Sequence, residues 1–587
     1  MGYLPTDPAN FASEAIDGFA AAYPRHVRRI DGGVMRLAPI PSGQVGVVVG
    51  GGSGHYPAFA GLVGRGLAAG AVCGNIFASP SAGQVVRVGS AVERGAGLLL
   101  TFGNYAGDVL HFTLGAERLR RQGIDVRIVT VTDDIASAPI DQQELRRGIA
   151  GGLAVYKVAG AAAEAGLPLD EVERLARKAN GRTRTLGVAF SGCTLPGADQ
   201  PLFEVPTGRM AIGMGLHGEP GLSEGPLTEA GPLAALLVER LLAERPADVP
   251  EDQQRLVVLL NGLGCFKYEE LFVLFGAVNR ELQGRGVVMA DCECGELVTS
   301  LDMAGVSLSF FWLDGELEGF WNAAADSAAY RRGQLAAESD GPQQPATQRP
   351  EPELPSEPPT QPAPLTPEQE ALLARFKAVE EELQERVEEL GGLDAVAGDG
   401  DHGLGMLRGI RGARESAIGA CGRGCGPGEV LMEAGEAWSD HGGGTSGALW
   451  GGALLAAGQS LAQATEIGPN DVAAAFGAAL QAVIDLGQAA PGDKTMLDAL
   501  QPFCLRLRAD LDAGLDLAQA LQNAANTSLA AATATADLLP QLGRARPHVQ
   551  RSLGHPDPGA MSMAYCLLAA SAGYVGLHGV ADPAQAS

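Results

Sequence analysis

The sequence predicts a multidomain protein with an N-terminal α/β module, a proline-rich linker and a C-terminal all-α module. Before residue 335, short β-branched runs alternate with helical patterns, which is typical of α/β folds. After residue 365, apolar residues recur at helical spacing and the sequence has no extended β-branched runs. The 587 residues exceed what one hydrophobic core usually holds, so several domains are expected.

The strands predicted in the first module end in loops that are rich in glycine or aspartate. The strands are Val47–Val49, Leu98–Thr101, Val126–Val131, Leu186–Phe190 and Leu256–Leu260. The loops cover residues 50–55, 103–108, 132–134 and 261–264. Because ligands of α/β sheets bind beyond the carboxyl ends of the strands, we expect these loops to be functional. A break near residues 195–230 predicts two subdomains, about 1–195 and 196–335.

A spacer and a helix start separate the two modules. Residues 336–365 are dominated by Pro, Gln and Glu, which is typical of a semi-rigid linker with a polyproline bias. Thr366, Pro367 and Gln369 then supply an N-cap, a proline at the first helical position and a capping box. Helical spacing continues in Ala371–Leu390, Gly447–Leu461, Asp471–Leu486 and Leu515–Ala530. About eight helices fit this module, residues 366–587.

Composition narrows the function classes. The formal charge of −27 argues against nucleic-acid binding, which needs a basic face. No apolar run approaches the roughly 20 residues of a membrane helix, and the N-terminus lacks the basic and apolar regions of a signal peptide. The nine cysteines are scattered, and no two pairs have zinc-ligand spacing. Reduced thiols, a cytoplasmic location and the absence of membrane partners are therefore expected.

Three carboxylates lie within eight residues of the second module, at Asp394, Asp399 and Asp401, with glycines among them. Like charges repel, so folding alone gives no reason for this arrangement, whereas Mg²⁺ prefers several oxygen ligands and is often shared with nucleotide phosphates. A Ca²⁺-binding EF-hand loop would need Glu at position 12. Counting from Asp394 or Asp399 places Gly405 or Ile410 there. The pattern predicts a loop that binds metal and nucleotide.

Two histidines and one aspartate are candidate catalytic residues of the first module. His217 has glycines on both sides, which would let a small ligand approach its ring closely. His55 and Asp108 each end a glycine-containing loop, and a His and an Asp on neighbouring loops can serve as general acid and base. The alternative for each is a structural polar group with its hydrogen bonds satisfied. The residues alone leave both interpretations open.

A glycine-rich turn, residues 441–447, precedes an apolar helix of the second module. Backbone N–H groups of such a turn favour phosphate, although a flexible structural loop is the alternative. Residues 492–495 resemble part of a Walker motif but lack its first glycine and its spacing. The His-Gly-Gly-Gly run would also fit an esterase. However, an α/β-hydrolase also needs a G-x-S-x-G elbow between a strand and a helix, and residues 51–55 lack its final glycine. The His-Gly-Gly-Gly run also lies in the helical module, without the required sheet, which argues against a hydrolase.

Taken together, these segments resemble the dihydroxyacetone kinase family, in the ATP-dependent form that fuses both modules in one chain. The resemblance covers nearly everything except the linker. In the first module it rests on GGGSGHYPAFAGLVG, GNIFASPS, GNYAGDV, RRGIAGG, RTLGVAFSGCTLPG and GLHGEPG. In the second module it rests on LDAVAGDGDHG, HGGGTSGALWG, GDKTMLDAL and RSLGHPDPGAMS.

The resemblance implies a role for each matching residue of the first module. His217 would hold a small ketose covalently as a hemiaminal, which implies selection against glycerol because glycerol has no carbonyl group. Asp108 would take the proton of the terminal hydroxyl, and His55 would assist by hydrogen bonding. Gly52, Ser79 and Gly103 would line the substrate pocket.

For the second module, the resemblance implies a helical barrel that binds ATP and two Mg²⁺ ions. The three aspartates, Asp394, Asp399 and Asp401, would hold the metal ions. The residues implied for nucleotide binding are Gly444, Thr445, Ser446, Thr495 and Met496. Members of this family are commonly dimers, so the resemblance also implies a homodimer, with a small-molecule ketose as its substrate.

One departure from the family pattern bears on the substrate. Many dihydroxyacetone kinases have Lys where this chain has Gly103, so a pocket cation is lost and space is gained. Residues 260–264, 267–270 and 295–302 are most similar to the erythrulose kinase branch. We therefore expect erythrulose to be preferred over dihydroxyacetone. A non-catalytic ketose-sensing protein and a flavin-nucleotide cyclase side activity that splits FAD are the alternative functions.

Overall fold

The computed structural model describes residues 4, 7–8, 10–198, 200–219, 221–251, 254–334, 365–398, 400–462, 467–542 and 549–572. The chain divides into two compact units, Met1–Ala337 and Glu338–Ser587. The segment predicted to be a linker lies outside the described residues apart from residue 365, and so does Asp399. Each unit is therefore described by itself.

The first unit contains three β-sheets. Its described strands are β1 Val27–Ile30, β2 Gly33–Arg36, β3 Gly46–Ser53, β4 Gly64–Arg65, β5 Gly70–Ile76, β6 Leu98–Gly103, β7 Val126–Val131, β8 Thr183–Ala189, β9 Arg209–Ile212, β10 Ser223–Pro226, β11 Arg255–Gly262, β12 Val288–Gly295, β13 Gly305–Trp312, β14 Ala325–Ser327 and β15 Arg331–Arg332. The first sheet has the order β1-β2-β5-β3-β6-β7, and β5, β3, β6 and β7 run parallel. The second has the order β10-β9-β8-β13-β11-β12 and is antiparallel except for β11 and β12. The third is small, with the order β15-β14-β4.

Helices cover both large sheets in layers. The described helices of this unit are α1 Phe11–Ala22, α2 Ala82–Val92, α3 Ala106–Arg121, α4 Gly152–Glu164, α5 Leu169–Gly181, α6 Ala230–Ala243, α7 Tyr268–Gly284 and α8 Gly315–Asn322. Helices α2 and α3 share a core with one face of the first sheet. Helices α4 and α5 fill the space between the two sheets, and α6 and α7 cover the far face of the second sheet.

The position of α4 follows from its sequence. GLAVYKVAGAAA is apolar on nearly all sides, and every residue from Gly152 to Ala163 is buried. A helix that is hydrophobic all round belongs in a protein interior. Sandwiched between the sheets, it joins them into one body, and loops from both sheets meet in a small buried cluster that includes Phe77, Leu216 and Val298. The candidate site lies around this cluster.

The α/β prediction for the first module is confirmed. Four of the five predicted strands lie within β3, β6, β7 and β11, and the fifth, Leu186–Phe190, extends one residue beyond the end of β8. The second sheet takes β8, Thr183–Ala189, from the chain before residue 195, where the sequence suggested a division into subdomains. The reason is that α5 leads directly into β8, so the change of sheet occurs at that helix end.

The second unit is helical throughout the part that the structure describes. Its helices are α9 Pro367–Glu385, α10 Val387–Ala395, α11 His402–Gly422, α12 Pro427–Gly442, α13 Gly444–Leu461, α14 Pro469–Gly487, α15 Leu497–Asp512, α16 Leu517–Ala534, α17 Val549–Ser552 and α18 Pro558–Ser571. Eight of them pack in a closed ring, in the order α9, α11, α12, α13, α14, α15, α16, α18 and back to α9. The ring encloses one large apolar core, which agrees with the barrel that the resemblance implied.

One helix prediction needs correction. The sequence suggested a single helix, Ala371–Leu390, whereas the chain turns at Arg386 and divides this region into α9 and α10. Arg386 leaves the helical conformation, with φ −100° and ψ 2°, and its guanidinium binds Glu382 and Glu389 on either side of the break. As a result, Asp394 lies in the last turn of α10 and not in a loop.

No helix in the described part of the chain is both long enough and apolar enough to cross a lipid bilayer.

Candidate active site

The end of β3 places His55 in the interior of the first unit. Gly52 lies so close to the turn after β5 that a Cβ atom there would be 2.9 Å from the backbone nitrogen of Ala78. His55 follows, only 4% exposed, and its ring stacks on Phe77 at 4.9 Å with an interplanar angle of 11°. Its Nδ1 lies 2.8 Å from the carbonyl oxygen of Thr299. A carbonyl oxygen only accepts hydrogen bonds, so this contact fixes a proton on Nδ1 of His55.

His217 reaches the same place from the loop after β9. Its Nε2 atom lies 3.0 Å from Nε2 of His55, although the two residues are 162 positions apart in the chain. Phe77 and Tyr105 present ring edges to the His217 ring at 4.9 Å and 5.0 Å. Gly218, which follows, has φ +81° and abuts the Phe203 ring, so a side chain there would be strained and would overlap Phe203. The glycines around His217 are therefore required by packing as well as by access.

The hydrogen bonds determine where the protons lie. Burial and the nearby charge of His217 lower the pKa of His55 to about 3, so His55 is neutral at physiological pH. With its proton on Nδ1, the Nε2 atom of His55 can only accept, and Nε2 of His217 must donate in this contact. Nδ1 of His217 lies 2.9 Å from Oε1 of Glu219 and donates to it. Both ring nitrogens of His217 therefore carry protons in this arrangement.

Glu219 was not singled out from the sequence, although it lies only two residues after His217. Burial alone would raise its pKa, but the charge of His217, hydrogen bonds from that residue and the charge of Arg147 together hold it well below the ordinary value. Arg147 in turn binds Asp134, with 2.9 Å between Nη2 and Oδ2. Burial raises the pKa of Asp134 to about 6 despite this partner. Alternating charges thus extend from β7 to His217.

The other predicted residues of the first module lie at the carboxyl ends of neighbouring parallel strands. Gly52 is on β3, Ser79 follows β5, Gly103 ends β6, and Asp108 lies in the first turn of α3 directly after β6. Asp108 is 7% exposed. The N-terminal turn of a helix favours a carboxylate in its ionised form, which a proton acceptor needs. A Cβ atom on Gly103 would lie 3.0 Å from the Tyr105 ring, so this ring occupies space beside the glycine.

Asp394 and Asp401 flank the glycine-rich bend of the second unit. Oδ2 of Asp394 is buried and has no hydrogen-bond partner among the described residues. Burial and the negative charge of Asp394 raise the pKa of Asp401. Uncompensated carboxylate oxygens of this kind fit Mg²⁺, which takes oxygen ligands. The described residues contain no group of three or more possible ligands, and Asp399 lies outside them.

The glycine-rich turn leads directly into α13. Gly443 and Gly444 both have positive φ, at +62° and +59°, a conformation that other residues adopt at a cost. Thr445 and Ser446 follow in the first helical turn, where backbone N–H groups favour an anion. No role had been assigned to His402. Its Nδ1 atom lies 3.5 Å from Oγ of Ser446, and its Nε2 atom lies 2.9 Å from Oγ of Ser562. This histidine links the acidic bend to α13 and α18.

Thr495 and Met496 immediately precede α15. The hydroxyl oxygen of Thr495 accepts a hydrogen bond from the backbone of Leu497 at 3.2 Å, and Met496 is 5% exposed. Asp557, at the start of α18, lies near both Asp394 and Lys494, and burial raises its pKa to about 7. Asp557 was not singled out from the sequence. The structure adds it to the polar groups near Asp394.

Comparison with known proteins gives matches to both units. Residues 17–329 match the Dak1 domain and residues 396–572 match the DAK2 domain. The chain is 49% identical to an L-erythrulose kinase of Pectobacterium atrosepticum, covering 97% of this chain and 96% of that protein. It is 51% identical to a D-erythrulose kinase of Mycolicibacterium smegmatis, covering 96% and 97%. The crystal structure of the dihydroxyacetone kinase from C. freundii in complex with AMP-PNP and Mg²⁺ is 30% identical, with a TM-score of 0.52 and coverage of 97% and 98%.

Proposed function

The chain belongs to the dihydroxyacetone kinase family, and from this premise we propose that it is an ATP-dependent kinase of a short-chain ketose held covalently on His217. The observation that carries the proposal is the pair of imidazole rings with fixed proton positions, His55 and His217, in the interior of the first unit. A non-catalytic sensor would need neither the acidic bend nor the glycine-rich turn of the second unit. Both relatives described above are named as kinases.

The two histidines can supply every proton transfer that addition of His217 to the ketone requires. Nε2 of His217 passes its proton to Nε2 of His55, 3.0 Å away, and its lone pair then adds to the ketone carbon. The electrons of the C=O π bond move to oxygen, which takes the proton from His55. The product is a carbinol bound to the ring, and no other bond breaks. Glycerol has no carbonyl carbon to accept the ring nitrogen, so this step selects ketoses.

The bound ketose then presents its terminal hydroxyl group. Asp108, buried at the start of α3, is the proton acceptor for that hydroxyl. Gly52, Ser79 and Gly103, which lie along the same sheet edge, line the pocket. Fixing the hydroxyl in this way converts phosphoryl transfer into a reaction between held groups, which is the main contribution a kinase can make.

The second unit is the nucleotide unit of this proposal. Asp394, Asp399 and Asp401 would hold two Mg²⁺ ions. The residues that would contact ATP are Gly444, Thr445, Ser446, Thr495 and Met496. When bound, ATP would supply the phosphoryl group and Mg²⁺ would neutralise the charge that develops on it. The buried Oδ2 atom of Asp394, which has no hydrogen-bond partner among the described residues, supports this assignment.

Erythrulose is the substrate that we favour, in agreement with the departure at Gly103. A lysine here would have to enter the space beside the Tyr105 ring, and it would add a cation to the pocket. The glycine keeps this cation out of the pocket, which we infer favours the longer ketose. A homodimer in the cytoplasm completes the proposal. All nine cysteines are free thiols, which supports a reducing compartment.

The proposal is tested with ketose labelled with ¹³C at the carbonyl carbon. Adduct formation moves the NMR signal of this carbon from the ketone range to the range of tetrahedral carbon, and ADP release in the presence of Mg·ATP reports turnover. We expect both signals with erythrulose and neither with glycerol. Failure to observe an adduct or Mg²⁺-dependent turnover would overturn the proposal.

Substrate preference is tested separately. We expect kcat/KM to be higher for erythrulose than for dihydroxyacetone, and Gly103→Lys to reverse or equalise this order. Gly181→Lys is the control, because a Cβ atom at Gly181 meets nothing within 4 Å. Equal constants for the two ketoses in the unmodified protein would reject the preference for erythrulose while leaving the kinase proposal standing.

A further inference from the structure

We propose that Glu219 is a positioning residue that fixes the protonated nitrogen of His217 and remains its counter-ion throughout adduct formation. This inference rests on the proposed function, because it concerns the reacting ring. It goes beyond that function by adding a residue for which the sequence provided no role. Glu219 acts through His217 and does not itself contact the ketose.

Glu219 contacts His217 with both carboxylate oxygens. Oε1 accepts a hydrogen bond from Nδ1 at 2.9 Å, and Oε2 accepts one from the backbone N–H of the same residue at 2.9 Å. These two bonds orient the ring and the backbone that carries it. Gly215 lies against this carboxylate, and a side chain at that position would overlap Oε2 of Glu219 and approach Arg147. The glycine is therefore needed for Glu219 to reach the ring.

Arg147 holds the carboxylate from the other side. Its Nη1 atom is 3.8 Å from Oε2 of Glu219, and its Nη2 atom donates to the carbonyl oxygen of Gly213 at 3.3 Å. Gly213 begins the loop that carries His217. The same guanidinium binds Asp134, which fixes it against the first sheet. Arg147 thus connects the loop of the nucleophile to the rigid part of the unit.

A carboxylate suits this position because it only accepts hydrogen bonds. It stabilises the form of the ring with a proton on Nδ1, which leaves Nε2 as the nitrogen that can become nucleophilic. The ring is cationic before the addition, with protons on both nitrogens. It is cationic again afterwards, with a proton on Nδ1 and a carbon on Nε2. Glu219 therefore neutralises the same charge at both ends of the step, and no charge has to enter or leave the buried site.

A neutral amide would lose this control. In Glu219→Gln, the side chain can either accept from Nδ1 or donate to it. Donation places the remaining ring proton on Nε2 and blocks the nucleophilic nitrogen. The loss of an orienting carboxylate in serine proteases lowers kcat by roughly 10⁴ for this reason, so we expect a loss of roughly 10²-fold or more here.

The test compares Glu219→Gln with Glu224→Gln, a matched change at an exposed glutamate that pairs with Arg209 at 3.4 Å. ¹⁵N NMR of labelled histidine reads which nitrogen of His217 is protonated, the ¹³C signal of the ketose reads the adduct, and ADP release reads turnover. We expect Glu219→Gln to change the ring protonation pattern and to lower both adduct fraction and kcat. Glu224→Gln should match the unmodified protein in all three measurements.

A second variant separates positioning from folding. In Glu219→Ala, added formate can enter the site, because the Glu219 side chain is 26% exposed. We expect formate to restore part of the adduct and of kcat, and to have no such effect on the unmodified protein. Thermal unfolding identifies any variant that does not fold.

A further pair of variants tests the role of Arg147. Arg147→Lys, which keeps the charge, should retain more activity than Arg147→Gln.

The outcomes of these experiments distinguish the two proposals. If the unmodified protein forms no adduct, the proposed function fails. If it forms the adduct and Glu219→Gln forms it equally fast with an unchanged ring protonation pattern, the function stands and the role of Glu219 is refuted. A folded Glu219→Ala variant that formate does not rescue would also count against this role.

Discussion

The two units differ in how their buried charged groups are compensated. Around His217 in the first unit, each charged side chain has a protein partner, from Asp134 through Arg147 and Glu219 to the ring. In the second unit, an oxygen of Asp394 is buried without a partner among the described residues, and Asp401 lies near it with a raised pKa. The first site can work with its own protons. Under the proposed function, the second site is completed by a bound cation.

This difference agrees with the chemistry of each half of the proposed reaction. Adding a ring nitrogen to a ketone needs a nucleophile of fixed orientation and a route for one proton, and side chains supply both. Binding a triphosphate needs positive charge in excess of what a few side chains provide, and metal ions supply it. Four changes break or sharpen this comparison.

The largest effect is expected from His217→Ala. The variant loses the proposed nucleophile, so adduct formation and ADP release should fall by roughly 10³-fold or more. Mg²⁺ should still raise the midpoint of thermal unfolding of the second unit, because its acidic bend is untouched. ¹³C NMR, ADP release and calorimetry measure these properties, with His26→Ala as the control. Substantial turnover in His217→Ala would remove the covalent step from the mechanism.

The next effect is a pH dependence of stability that comes from His55. Its folded-state pKa is about 3, against 6.5 for an ordinary histidine. Above pH 6.5 both folded and unfolded states are neutral, and the contribution to stability is complete. As the pH falls from 6.5 to 3, only the unfolded state takes up the proton, so the free energy of unfolding should fall by up to about 4 kcal/mol.

Urea unfolding of the full chain at several pH values measures this slope. His55→Gln keeps a donor for the carbonyl oxygen of Thr299 but has no proton to gain, so its slope over this range should be smaller. Identical slopes for His55→Gln and the unmodified protein would show that the ring is accessible to protons in the folded state.

The third effect has opposite signs with and without metal. Asp401→Asn removes a negative charge next to Asp394, so in Mg²⁺-free buffer it should stabilise the second unit. With Mg²⁺ and ATP it should nearly abolish turnover, since a proposed metal ligand is lost. Thermal unfolding with EDTA and with Mg²⁺ measures the contrast. Destabilisation in EDTA would mean that the carboxylate is already compensated by the protein.

The smallest effect is expected from Tyr105→Phe. The phenolic oxygen is buried and has no hydrogen-bond partner among the described residues, while the ring packs edge-on against His217. Removing the hydroxyl keeps this packing and should raise the free energy of unfolding by up to about 1 kcal/mol. Urea unfolding measures the change, and Tyr156→Phe, which removes another buried phenol, is the comparison. A loss of stability would show that the Tyr105 hydroxyl is hydrogen-bonded in solution.

Much of the architecture could be read before any coordinates were known. Alternation of strand and helix patterns located the first module, and apolar spacing located several helices of the second, because both signals depend on residues close together in the chain. The crowding of Asp394, Asp399 and Asp401 indicated a cation for the same reason. The break at Arg386 was missed, since the helical pattern continues through it.

No local pattern in the sequence could predict which side chains contact His217. Its contact with His55 spans 162 positions, and the contact of His55 with Thr299 spans 244. Both depend on α4 holding two sheets at a fixed separation, which is a property of the packed interior. Glu219 lies near His217 in the chain, but its proposed role depends on the proton on His55 and on the guanidinium of Arg147. Hydrogen bonds act only over a few ångströms, so the protonation of each ring was decided where distant segments met.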